Sequence, residues 1–199
     1  MELSFNYRIP KTIALIAQNI LDNGVDLISN NRKNGGNSSY PVFKKPIVKK
    51  CNSFEEELDY IINTIQLQDL DDVAILLPRN DQIEKVHNYF QQKNINVQVR
   101  YSVDLDENIR AGIFPKFKVV NTLDFTNNDL PCLLTYHSAK GTEFDNVFIP
   151  FANNDEVNEK NAFYVAITRS NANLYVSYTR SLTAFFRKVN PMDYEHIIN

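Results

Sequence analysis

Hydrophobic and polar positions along this chain switch between two periods, and the switches mark out its elements. Ile9, Ile13, Ile16, Ala17, Ile20 and Leu21 recur at helical spacing, with Pro10 near the first turn and Gly24 beyond the last. Residues 30–46, rich in Asn, Lys, Gly and Ser, have no apolar period and read as an exposed loop. A short strand at residues 47–48 leads to Ser53, with Glu56 three positions on, the spacing of a capping box. Phe54, Leu58, Ile61, Ile62 and Ile65 then line one face of a second helix. The unbroken apolar run 73–77, ended by Pro78, is expected to be a strand buried on both faces. Asn80 or Asp81 is expected to cap a third helix with Ile83, Val86, His87 and Phe90 inward, and Val97 and Val99 suggest the next strand.

Residues 101–130 are less regular, with a strand suggested at 117–120. Order returns with a strand at 132–135, a loop through Gly141, a strand at 147–149, a helix over 161–168 and a strand at 174–178. Leu182, Phe185, Phe186 and Val189 are expected to form a closing helix. Strands alternating with helices imply an α/β fold in which helices cover a parallel sheet.

Composition narrows the class without choosing a function. Of the 199 residues, 43% are hydrophobic and 23% charged, the balance of one ordinary globular domain. No apolar run reaches the ~20 residues of a membrane span, no signal-peptide pattern opens the chain, and a cytoplasmic location without membrane partners is expected. Cys51 and Cys132 are far apart and lack metal-type spacing, so reduced thiols are expected. The net charge of -3 argues against a free-standing duplex binder but not against a domain making a few contacts to one strand.

Three segments carry chemistry. The most specific is Thr135-Tyr-His-Ser-Ala-Lys-Gly-Thr-Glu-Phe-Asp-Asn-Val-Phe-Ile149, a polar loop with one glycine between two strands. The second is Asn161-Ala-Phe-Tyr-Val-Ala-Ile-Thr-Arg-Ser170 ahead of a strand, and the third is Phe5-Asn-Tyr-Arg8 at a helix start. In order they resemble motifs V, VI and IV of UvrD/Rep/PcrA-like superfamily 1 DNA helicases, and together they span nearly the whole chain. The resemblance implies a three-layer RecA-like domain of the P-loop NTPase type, with a mostly parallel sheet and no P-loop of its own. It also implies that the chain is the C-terminal half of a longer motor, beginning just after motif III. The partners implied are an N-terminal RecA-like domain of the same chain and single-stranded DNA, translocated 3′ to 5′ in processes such as DNA repair.

By the same resemblance, Tyr7 stacks on adenine, and Arg8 and Arg169 reach the γ-phosphate, Arg169 as a finger. Glu143 lies near the nucleotide sugar, Gly141 shapes its loop, and Thr135 and His137 touch the DNA backbone. The physics suits these roles: a planar guanidinium can meet two γ-phosphoryl oxygens where charge accumulates in transfer. Each residue taken alone has a plainer reading. Arg169 near a helix end could simply complement the dipole, and Glu143 could be a surface carboxylate. Arg169→Ala is therefore expected to cost turnover and leave stability near wild type.

Departures from the family pattern bear on activity. No G-x-x-x-x-G-K-[ST] sequence occurs, so ATP and Mg2+ are expected to be held by the N-terminal domain of the intact parent, with this chain inactive alone. Only about thirty residues separate Arg100 from Leu133, too few for the family's large helical insertion. Thr142 replaces the usual leucine, and Asp155-Glu156 matches a Walker B pair only by chance. A nucleotide- or partner-binding module of a defence or regulatory protein, and the motor part of a helicase-nuclease, remain alternatives.

Overall fold

The computed structural model describes residues 9–21, 44–104 and 117–198 of the chain. Residues that alternate along the central strand divide the molecule into three layers. In β2 (Val73–Leu77), Val73, Ile75 and Leu77 point to one face, where they pack with α2 (Phe54–Gln68) and α3 (Asn80–Gln92). Ala74 and Leu76 point to the other, against α1 (Lys11–Ile20) and α4 (Lys160–Ile167). A strand apolar at every position is what two covered faces require.

The remaining strands are β1 (Ile47–Lys50), β3 (Gln98–Asp104), β4 (Phe117–Asn121), β5 (Cys132–Thr135), β6 (Phe144–Ile149), β7 (Ser170–Tyr178) and β8 (Glu195–Ile198). Their order is β4-β3-β5-β2-β6-β7-β1-β8, parallel throughout except for the antiparallel β3–β4 pair. The expected α/β class and mostly parallel sheet are thus observed. The order places β2 between β5 and β6, so the segment joining those two strands must cross the sheet.

Some local expectations change. Ser53 does cap α2, accepting from the Glu56 amide at 3.1 Å, but the Glu56 carboxylate reaches one residue further back, to the Asn52 amide at 2.8 Å. The extended residue before α3 is Arg79, not Asn80 or Asp81; Gln82 closes that turn by accepting from the Arg79 amide at 3.1 Å. The expected closing helix is a short 3-10 turn, Ala184–Lys188, begun at Thr183. Beyond it β8, unforeseen, adds to the sheet edge in parallel with β1. Residues 105–116, within the irregular segment, lie outside the described residues.

Candidate functional site

The loop 136–143 is a run of consecutive tight turns. The Ala139 amide donates to Thr135 O at 3.0 Å, Lys140 to His137 O at 3.2 Å and Thr142 to Ala139 O at 3.2 Å. At its start the Tyr136 amide donates to Leu77 O of β2, and the Tyr136 ring is buried 6.0 Å from that of Phe163 on α4. Gly141 sits at φ +90° with nothing within 4 Å of where a Cβ would stand. Glycine is needed there for backbone conformation rather than for space.

Near the far end of this loop the second segment meets it. Arg169, half-buried just past α4, donates from Nη1 to Thr142 O at 3.0 Å, from Nε to Val165 O at 3.0 Å and from Nη2 to Thr168 Oγ1 at 3.2 Å. Its own carbonyl accepts from the Phe144 amide at 2.9 Å. Gly141, Glu143 and Arg169 therefore gather where β6 and β7 begin. Glu143 is exposed and borders a cleft of about 310 Å³ walled by Phe125, Asn128, Thr142 and Phe144.

Thr135 and His137 lie at the opposite edge, where β5 ends. Because β5 and β6 run parallel, with β2 between them, the loop 136–143 passes from the edge where β5 ends to the edge where β6 begins. Thr135 is buried and its hydroxyl is committed locally, accepting from the Ser138 amide at 3.1 Å and donating to Ser138 Oγ at 2.9 Å. His137 is exposed, its Nε2 3.2 Å from the Glu159 carboxylate. Tyr7 and Arg8 lie outside the described residues.

Other titratable groups are accounted for by structure. Asp155 and Glu156 hold Arg180 at 2.8 and 3.1 Å, and Glu156 also accepts from Arg79 at 2.9 Å, so the acidic pair ties together loops that follow β2, β6 and β7. His87 lies 3.3 Å from Tyr101 Oη, and His196 lies 3.0 Å from Tyr178 Oη. Cys51 and Cys132 are free and buried, and burial pushes their thiols up to about 12 and about 11. Glu57 was missed from sequence. It is fully buried on α2, accepting from the Phe151 amide at 2.9 Å and Ser177 Oγ at 2.6 Å, with Oε1 finding no protein partner among the described residues. Burial raises its carboxyl to about 7, against the two hydrogen bonds, which lower it.

The model of the UvrD-like helicase C-terminal domain matches residues 1–105 and 124–181, most of the chain. This chain belongs to that family. As a UvrD-like C-terminal domain it is a helicase motor domain, and its Arg169–Thr142 bond joins two of the family's segments. The fold agrees with the crystal structure of the C-terminal domain of a possible DNA helicase from Lactobacillus plantarum WCFS1. That chain is 18% identical with a TM-score of 0.63, and the match covers 96% of this chain and 98% of the other. No curated protein sequence matches. The family match leaves out the connection after β3, β4, and everything from the 3-10 turns to β8. Among the described residues no helix is long and apolar enough to cross a membrane.

Proposed function

We propose that this domain is the C-terminal half of an ATP-driven motor on single-stranded DNA. In that motor Arg169 and Arg8 serve the γ-phosphate, Tyr7 the adenine, Glu143 the sugar, and Thr135 and His137 the DNA backbone. The observation that carries the reading is the convergence of Gly141, Glu143 and Arg169 at one edge while His137 stands exposed at the other. One loop then touches both ligands, which is what coupling hydrolysis to movement requires. The groups present fit a nucleotide: a guanidinium suits phosphoryl oxygens, and an exposed carboxylate suits sugar hydroxyls. With no phosphate-binding loop in the sequence, ATP and Mg2+ would be held by an N-terminal RecA-like domain, and the 3′ to 5′ polarity of the family would apply.

Arg169 as described is folded onto its own domain. To act as a finger it exchanges Thr142 O for a phosphoryl oxygen, which makes the swing part of domain closure. The same bonds favour a second reading, in which Arg169 is structural and the domain is a non-motor module. Steady-state ATPase of the intact parent separates the two. In a motor, Arg169→Ala lowers kcat by ~10² or more with nucleotide affinity little changed, and lysine recovers little. Normal turnover in Arg169→Ala would refute the motor assignment.

A further inference from the structure

Helix α4 is fastened to the loop 136–143 at both ends. Just past its C-terminus, Arg169 holds the Thr142 carbonyl; at its N-terminus, Glu159 holds His137. Between them Phe163 and Ala166 are buried in the core, and the Phe163 amide donates to Glu159 O at 3.0 Å, so the backbone that carries Glu159 is fixed. The Glu159 side chain makes no capping bond to its own helix; its carboxylate goes to His137 instead. Both side chains are about two-thirds exposed, 67% and 64%, so the pair stands open to an incoming ligand.

We propose that Glu159 is an internal competitor for single-stranded DNA: its carboxylate occupies the position at His137 that a backbone phosphate takes. This rests on the assignment of His137 to DNA. A carboxylate oxygen and a phosphodiester oxygen are both anionic partners for the His137 ring, and only one of them can sit 3.2 Å from Nε2. A phosphate that displaces Glu159 also remains well within the ~10 Å screening length of the carboxylate, so the two repel. The pair weakens the grip at one backbone contact. A translocating domain benefits, because every step along the strand requires that contact to be released.

The test measures binding of a fluorescein-labelled oligothymidylate to the 199-residue chain by anisotropy at low salt, with circular dichroism as the folding control. Glu159→Gln keeps the shape and removes the charge, and is expected to tighten binding roughly two- to fivefold, the range of an exposed charge pair. Glu159→Asp, which retains the charge on a shorter arm, falls between Gln and wild type. The gain fades at high salt and is absent in a His137→Ala background, neither of which a merely structural role would produce. Weaker binding by Glu159→Gln would overturn the proposal, since Glu159 would then be orienting His137 for DNA. If His137→Ala weakens binding while Glu159→Gln leaves it unchanged, the competitor role fails and the DNA assignment survives. Binding that responds to neither substitution, or no binding by any variant, overturns both.

Discussion

Removing the Arg169 guanidinium from the isolated domain should destabilise it, before any nucleotide is involved. Among the described residues, the bonds lost in Arg169→Ala include those to Thr142 O, Val165 O and Thr168 Oγ1. Val165 O keeps a donor in Thr168 Oγ1 at 3.0 Å, so the bond to Thr142 is the one that leaves a carbonyl needing a new partner. Bonds from a charged donor contribute about 1.5–3 kcal/mol each in favourable cases, but this side chain is only half-buried and the three losses are not additive. A total of ~1–3 kcal/mol is reasonable, and at ~2–4 °C per kcal/mol for a domain of this size the melting temperature should drop by several degrees. Sequence alone suggests unchanged stability for this substitution, and the bonds revise that. Thermal melting of the chain without nucleotide, with hydrogen exchange at the amides of residues 139–143, gives the check. Arg169→Lys should recover part of the loss, since an ammonium can still reach one carbonyl but not span three acceptors. An unchanged melting temperature with unaltered exchange in that loop would show that the guanidinium does not brace it. Turnover of the intact parent must accordingly be compared below the melting range of the variant.

Glu57 makes stability depend on pH with a definite sign. Its folded value of about 7 stands above the ordinary 4.5, so between those values the folded state keeps a proton that the unfolded state has lost. Stability from this group is complete below about pH 4.5, falls as pH rises, and by pH 8 has declined by an amount on the order of 3 kcal/mol. Glu57→Gln should flatten the melting temperature between pH 5 and 8, and parallel profiles for the two proteins would count against a buried neutral carboxyl. Gly141→Ala should cost ~1–2 kcal/mol from backbone strain alone, because φ is +90° and no neighbour blocks a methyl group. Chemical denaturation measures this directly, and an unaffected midpoint would mean that the turn relaxes.

How much of this was legible in the chain depended on whether local pattern or remote contact sets each feature. β2 and β5 stand out because strands covered on both faces read as unbroken apolar runs. The starts of β6 and β7 are hidden because they carry amide side chains, Asn146 buried and Asn173 half-buried. Asn146 donates to Asp71 O at 2.7 Å and Asn173 donates to Asn146 Oδ1 at 2.9 Å, so polar residues lie in the sheet bonded to one another and to backbone. Nothing local distinguishes such an asparagine from one in a turn. Glu57 looks like any acid in a helix first turn, and its burial is decided by Phe151 and Ser177, 94 and 120 residues away. β8 is four residues with mostly exposed side chains, held by pairing to β1 rather than by burial.

The site residues divide in the same way. Gly141, Glu143, Arg169 and His137 could be named from short segments with recognisable order, but their distribution over two edges could not. It follows from strand direction and order: β5 and β6 are parallel with β2 between them, so eight residues must carry the chain over a central strand from the end of one to the start of the next. The same crossing gives α4 something to brace, because a loop that spans the sheet is held where it leaves one edge and where it arrives at the other. Glu159 and Arg169 stand 10 positions apart, on either side of α4, and each holds one of those places. An anion that draws on His137 and one that draws on Arg169 therefore act on opposite ends of one short helix. If ligands bind at both edges, α4 is an element through which they can influence each other, and the double substitution of Glu159 and Arg169 measures whether its two ends are coupled. If α4 transmits strain, the two stability losses will depart from additivity although the side chains never touch; if it is only a spacer, they will add.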